Sequence, residues 1–141
     1  MGNALSNTAT STDGDFQYIQ GGFDVVGAMS KTFGYKFELD AKYAISQNNP
    51  SSILHSVGGY STVRGYPETL LSGDSGLNIT IEANLAEPIE FQSGSNGSGQ
   101  SATINPFVFV DMGIAVPFRT SGRAITTDDI IASTGLGFNA T

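Results

Sequence analysis

Cysteine is absent from this 141-residue chain and histidine occurs once. Without cysteine there are no disulfides, thiolate metal sites or cysteine nucleophiles. A single histidine, His55, leaves histidine dyads and His-rich metal sites nowhere to form, and His55 reads as a loop residue. Charge is sparse. Charged residues are 13% of the chain, about half the share usual in a soluble domain, and the net charge is −7. The 6 Lys and Arg residues are scattered singly, which excludes a nucleic-acid footprint. No apolar run approaches the roughly 18 residues of a transmembrane helix, and residues 1–15 lack the basic and apolar regions of a signal peptide. A helical membrane protein is therefore excluded. A membrane β-barrel is not, because its strands are short, alternating and weak in hydropathy. Groupings of acid, base and nucleophile are missing too: Ser72 lies near Asp74 with no base beside it, and no glycine-rich phosphate loop precedes a helix. Asp13/Asp15 and Asp128/Asp129 lack EF-hand spacing and read as solvated acidic loops. The chain reads as non-enzymatic, with no cofactor and no metal.

What the chain has in quantity is glycine (18), phenylalanine (9) and tyrosine (5), together with much Ser, Thr and Asn. Many turns with many aromatics indicate an all-β chain rather than a disordered one. Residues 1–15 read as a polar lead-in without regular structure, and 16–141 as the β segment. Residues 16–29 are extended, with Ile19, Phe23, Val25 and Met29 on one parity, and 30–34 turn. Residues 35–45 give the cleanest strand: Tyr35, Phe37, Leu39, Ala41, Tyr43 and Ile45 alternate with Lys36, Glu38, Asp40, Lys42 and Ala44. Strict period two makes one face apolar and one polar. Its length exceeds the usual five or six residues of a soluble strand and suits the roughly 9–11 of a tilted membrane strand.

Residues 47–76 form a long Gly/Ser/Pro-rich connection, of a length that is usually functional or disordered. Residues 77–85 alternate again, and 92–101 read as a flexible loop. Residues 104–118 form a strand with Phe107, Phe109 and Asp111 on one parity and Val108, Val110 and Met112 on the other. A loop follows over 119–129 and the final strand over 130–138; across their junction, 126–132 has the residues to cap a single helical turn. The expected fold is an antiparallel meander of about five long strands. Alternation of this kind suits an outer-membrane barrel and a soluble β-sandwich equally.

The long connection reads Gly58-Gly59-Tyr60-Ser61-Thr62-Val63-Arg64-Gly65-Tyr66, then continues through Gly73-Asp74-Ser75-Gly76. One strand later comes Phe107-Val108-Phe109-Val110-Asp111-Met112-Gly113. Over residues 57–138 this pattern resembles the two-partner secretion transporters, the haemolysin secretion and activation proteins of the outer-membrane-protein assembly superfamily. In that family a Val-Arg-Gly-Tyr/Phe tetrapeptide sits at the tip of a loop folded back into the barrel lumen. The resemblance implies a segment of an outer-membrane β-barrel in the bacterial outer membrane, moving an unfolded secreted partner protein without nucleotide or metal. It also implies a loop-to-lumen anchor of Val63, Arg64, Gly65, Tyr66 and Asp111, supported by Gly73, Asp74, Phe107, Phe109 and Gly113. Arg64 is the one charged residue between His55 and Glu68, and a guanidinium removed from bulk water needs a partner. Asp111, an acid within an apolar strand, is the implied partner in a charge-assisted and bidentate contact. Gly65 would turn the backbone, and Tyr66 would pack against Phe107 or Phe109.

Family members carry periplasmic domains and more strands, so the chain reads as a fragment of a larger transporter or as a fragment-derived domain that buries its apolar face another way. Five strands do not close a barrel, for which about eight is the usual minimum. Membrane lipid on the apolar face and self-association through exposed strand edges are the further partners expected. The alternative is a soluble β-sandwich or edge-paired β oligomer acting as a binding or structural module. It requires solubility in water without detergent and an exposed Arg64.

Overall fold

The computed structural model describes residues 5–13, 16–45, 51–93, 100–118 and 124–140. Its strands are β1 (Leu5–Asp13), β2 (Phe16–Ala28), β3 (Phe33–Ala44), β4 (His55–Val57), β5 (Leu71–Gly73), β6 (Ser75–Leu85), β7 (Ile89–Ser93), β8 (Gln100–Val116) and β9 (Ile130–Ala140). Two short 3-10 turns, Ser51–Ile53 and Thr127–Asp129, accompany them. Among the described residues no helix is long and apolar enough to cross a membrane. Strands are the other structure that can.

All ladders are antiparallel, and the 7-stranded sheet runs β1-β2-β3-β6-β8, with β7 and β9 also pairing β8. β6 and β7 are successive pieces of one stave. Asn84 pairs Phe107 and Ile89 pairs Ile104, so five steps along one strand oppose three along the other. The excess bulges out at 86–88, where Pro88 has no amide hydrogen to give to a ladder. The result is the expected all-β antiparallel meander, with one stave more than the five long strands read from the sequence.

That additional stave is β1. The lead-in expected over 1–15 is a strand over Leu5–Asp13, paired residue by residue with β2 from Leu5↔Asp24 to Asp13↔Phe16. Residues 1–4 and 14–15 lie outside the described residues. Its Ser, Thr and Asn give no apolar parity to detect, yet Thr8, Thr10 and Thr12 are β-branched and β2 supplies a backbone ladder. The long connection is partly ordered as well. β4 and β5 pair with each other as a separate 2-stranded sheet at its root. Of the loop expected at 92–101, residues 94–99 lie outside the described residues, while β7 runs to Ser93 and β8 begins at Gln100.

The registers sort β3, β6, β8 and β9 into the same two faces. On one face Ala41, Leu77 and Ile114 stand in a row across β3, β6 and β8; so do Leu39, Ile79 and Met112, and Phe37, Ile81 and Val110. This face has large apolar side chains open to its surroundings, Leu136 at 82% and Phe138 at 69% exposure among them. On the other face Asp40, Asn78 and Gly113 form a row, followed by Glu38, Thr80 and Asp111, then Lys36, Glu82 and Phe109. The folded-back connection lies on this polar face. The buried core is correspondingly small: Val57, Val63 and Ala115, flanked by Leu71 and Ile131. It lies between the connection and the sheet rather than between two sheets.

Candidate functional site

The connection is shaped by residues that tolerate unusual backbone. Gly58 (φ 107°), Gly59 (φ 104°) and Gly65 (φ 90°) have positive φ, in the left-handed region where a Cβ is disfavoured. Nothing lies within 4 Å of a Cβ built on Gly65, so glycine is needed there for the turn itself and not for space. The loop also bonds to itself: Gly58 N–H donates to Thr62 Oγ1 at 2.9 Å and Tyr60 N–H to Glu68 Oε1 at 3.1 Å.

Its root fits the sheet through missing side chains. Gly73 lies so close to β8 that a Cβ would come within 2.5 Å of the Val116 backbone. Asp74 accepts the Phe118 N–H at 2.6 Å, and Ser75 Oγ accepts the Ala44 N–H at 2.9 Å. Gly76 leaves room for the His55 ring, which is 5% exposed in β4 and not the loop residue expected. His55 Nε2 lies 3.1 Å from Asn78 Nδ2, and Nδ1 lies 3.7 Å from Asp40. Burial pushes the His55 pKa below its ordinary value of 6.5, with Asp40 opposing and Lys42 reinforcing the shift.

At the tip, Val63 and Val57 fill the space above Gly113, where a Cβ would collide with both. Arg64 then reaches two strands at once. Its Nε and Nη2 donate to Asp111 Oδ2 and Oδ1, each at 2.8 Å, and its backbone N–H donates to Oδ2 at 3.0 Å. Nη1 donates to Glu82 Oε1 at 2.9 Å. Asp111 is fully buried, and the Arg64 and Glu82 side chains are 15% and 16% exposed. The hydrogen bonds to Asp111 push the guanidinium pKa still higher, so the arginine stays charged at every accessible pH. Two carboxylates about one guanidinium leave the cluster net negative.

The expected seat of Tyr66 beside Phe107 or Phe109 is taken by the Arg64 guanidinium, 3.7 Å from the centre of the Phe109 ring and 5.7 Å from that of Phe107. Tyr66 reaches the next strand instead, its hydroxyl donating to Ala132 O at 3.2 Å. The two phenylalanine rings also lie against glycine. A Cβ on Gly135 would come within 2.7 Å of the Phe109 ring, and one on Gly137 would collide with Phe107. Glycine–aromatic cross-strand pairs of this kind let a ring cover the bare backbone opposite.

Sequence reasoning names Arg64 and Asp111 but not Glu82, Gly135, Gly137 or the buried His55. Glu82 reads as one more polar residue in a two-faced strand, and the β6–β8 register that sets it one row from Asp111 is not a local property. Of the Asp128/Asp129 pair, Asp128 is exposed as expected but Asp129 is not. Asp129 is 8% exposed and its Oδ2 accepts both the N–H and the hydroxyl of Thr126, each at 2.9 Å.

No curated protein and no solved structure matches the chain. One family does, over residues 2–140, described as Haemolysin secretion/activation protein ShlB/FhaC/HecB. Together with the meander of two-faced strands, that match across almost the whole sequence makes the chain a member of this family of outer-membrane β-barrel secretion transporters.

Proposed function

We propose that this chain forms the loop-bearing wall of a pore through which an unfolded secreted partner protein crosses the outer membrane. The observation that carries the reading is the position of Arg64: a loop-tip arginine held by Asp111 and Glu82 on the polar face of a sheet whose opposite face is apolar and exposed. In a barrel the polar face lines the lumen and the apolar face meets lipid. The connection over 51–74 is then a lumenal element, anchored through Val63, Arg64 and Asp111, with Gly65 and Tyr66 carrying the chain from the tip to β9. Gly73, Asp74, Phe107, Phe109 and Gly113 provide the fit beneath it. The remaining edges of β1 and β9 take further barrel strands, from a longer chain or from a second copy.

Nothing in this mechanism transforms a substrate. The wall offers a polar surface to an extended polypeptide, and the anchored loop sets how much of the lumen is open. The test is light scattering with circular dichroism in plain buffer and in mild detergent, followed by planar-bilayer conductance. A β-rich monodisperse species that appears in detergent and carries current is the expected result. A compact β protein that unfolds cooperatively in buffer alone would overturn the reading and favour a soluble binding module.

A further inference from the structure

The connection does not cover the polar face evenly. Towards β8 and β9 it is packed tight, Val57 and Val63 against Ala115 with Ile131 beside them. Towards β2 and β3 it stands clear, leaving a cleft of about 610 Å³ between Ser61 and Thr62 of the tip and the sheet residues Gln20, Gly22, Asp24, Glu38, Asp40, Asn78 and Thr80. We propose that this cleft is a docking surface for the translocating polypeptide, and that it favours extended segments bearing lysine or arginine. The proposal rests on the pore reading above and adds a substrate preference to it.

Charge complementarity carries the argument. The carboxylates of Asp24, Glu38 and Asp40 line the cleft, and among the described residues no lysine or arginine does. Asp24 holds no ion pair among the described residues, whereas Glu38 is paired with Lys36 at 2.9 Å and Asp40 faces the buried His55. The loop brings no compensating charge, because its one cation between His55 and Glu68 is Arg64, already held by Glu82 and Asp111. Lys36 offsets Glu38, which leaves Asp24 and Asp40 to make the cleft lining negative, and a low-dielectric wall focuses that field into the cleft. Beside it, at the loop tip, Tyr60 is 83% exposed, its backbone fixed by the bond to Glu68. An exposed ring adjoining Ser61 of the cleft offers a cationic side chain a face in addition to the counter-charge of the lining. An extended strand fits such a surface with alternate side chains facing the wall. Acidic runs are repelled.

The chain has no tryptophan, so Tyr60→Trp, an aromatic for an aromatic, gives a single reporter at the tip. In detergent it is titrated with three Gly/Ser peptides carrying Lys, Glu or Gln at alternate positions. The lysine peptide is expected to bind at least about tenfold tighter than the others, with the advantage lost as salt rises from about 50 to about 500 mM. Asp24→Asn with Glu38→Gln and Asp40→Asn removes the preference. Asp24→Lys alone, at the carboxylate with no ion-pair partner to orphan, weakens lysine-peptide binding at least about threefold with the circular dichroism spectrum unchanged. The same preparations are tested for bilayer current. A chain that conducts but binds lysine and glutamate peptides alike keeps the pore and overturns the cleft. A chain that prefers the lysine peptide but carries no current keeps the cleft and overturns the pore.

Discussion

Asp111→Asn is the sharpest probe of the loop's anchorage. The substitution keeps shape and one acceptor oxygen but removes the charge that receives Nε, Nη2 and the backbone N–H of Arg64. Breaking a buried ion pair by removing one partner costs about 3–5 kcal/mol. Arg64 is 15% exposed and retains Glu82, which places the loss at the lower end, about 3 kcal/mol. At tenfold per 1.4 kcal/mol, the open population of the loop rises about 100-fold. Trypsin reads this directly, because Arg64–Gly65 is itself a cleavage site and the chain holds only 6 Lys and Arg residues to distinguish by fragment mass. When opening is fast relative to cleavage, the cutting rate follows the open population. In detergent, cleavage after Arg64 is expected to accelerate by about that 100-fold while cleavage after Lys36 and Lys42 in β3 stays unchanged. Acceleration below about threefold would refute the reasoning, and would mean that the packing of Val57 and Val63 seats the loop without help from the pair.

Three further outcomes follow from the same geometry. Arg64→Glu with Asp111→Arg does not restore seating, because the introduced carboxylate meets Glu82, which holds Nη1 at 2.9 Å; adding Glu82→Gln recovers it, as measured by mass-resolved proteolysis with a protease that cuts after glutamate. Gly135→Val drives a side chain into the Phe109 ring, over which Arg64 lies at 3.7 Å; a loss of about 1–3 kcal/mol is expected in urea unfolding, with β9 protected least in hydrogen exchange. Because burial lowers the His55 pKa, the unseated loop binds the proton more tightly, so seating is complete above pH 6.5 and weakens as pH falls below it; Tyr60→Trp emission shows the transition and His55→Gln abolishes it.

Much of this architecture is legible because a sheet with one apolar face writes its period into the sequence. The alternation over 35–45 fixes β3 to within two residues at each end, and the apolar parity of 77–85 locates β6. β1 leaves no such trace, since Ser, Thr and Asn on both parities carry no periodic signal and its order comes from pairing with β2. The site divides in the same way. Arg64 and Asp111 stand out as charges in surroundings that should not hold them. Glu82 does not, because an acid on the polar face of an amphipathic strand is unremarkable until the ladder sets it beside Phe109. His55 misleads for a related reason: its neighbours in sequence are loop residues, while the space it fills is made by Gly76 and reached through the β4–β5 pairing.

The glycines beneath Phe107 and Phe109 also constrain the order in which the parts come together. Gly135 and Gly137 give β9 no side chains of their own at these rows and a larger conformational entropy to lose, so β9 depends on the β8 rings to become ordered. The guanidinium in turn needs the Phe109 ring in place before it has a surface to lie on. The loop therefore cannot seat its arginine until the β6–β8 ladder has brought Glu82, Phe109 and Asp111 together, although it precedes both strands in the chain. Until then Arg64 remains hydrated, waiting for a carboxylate that lies 47 residues further along.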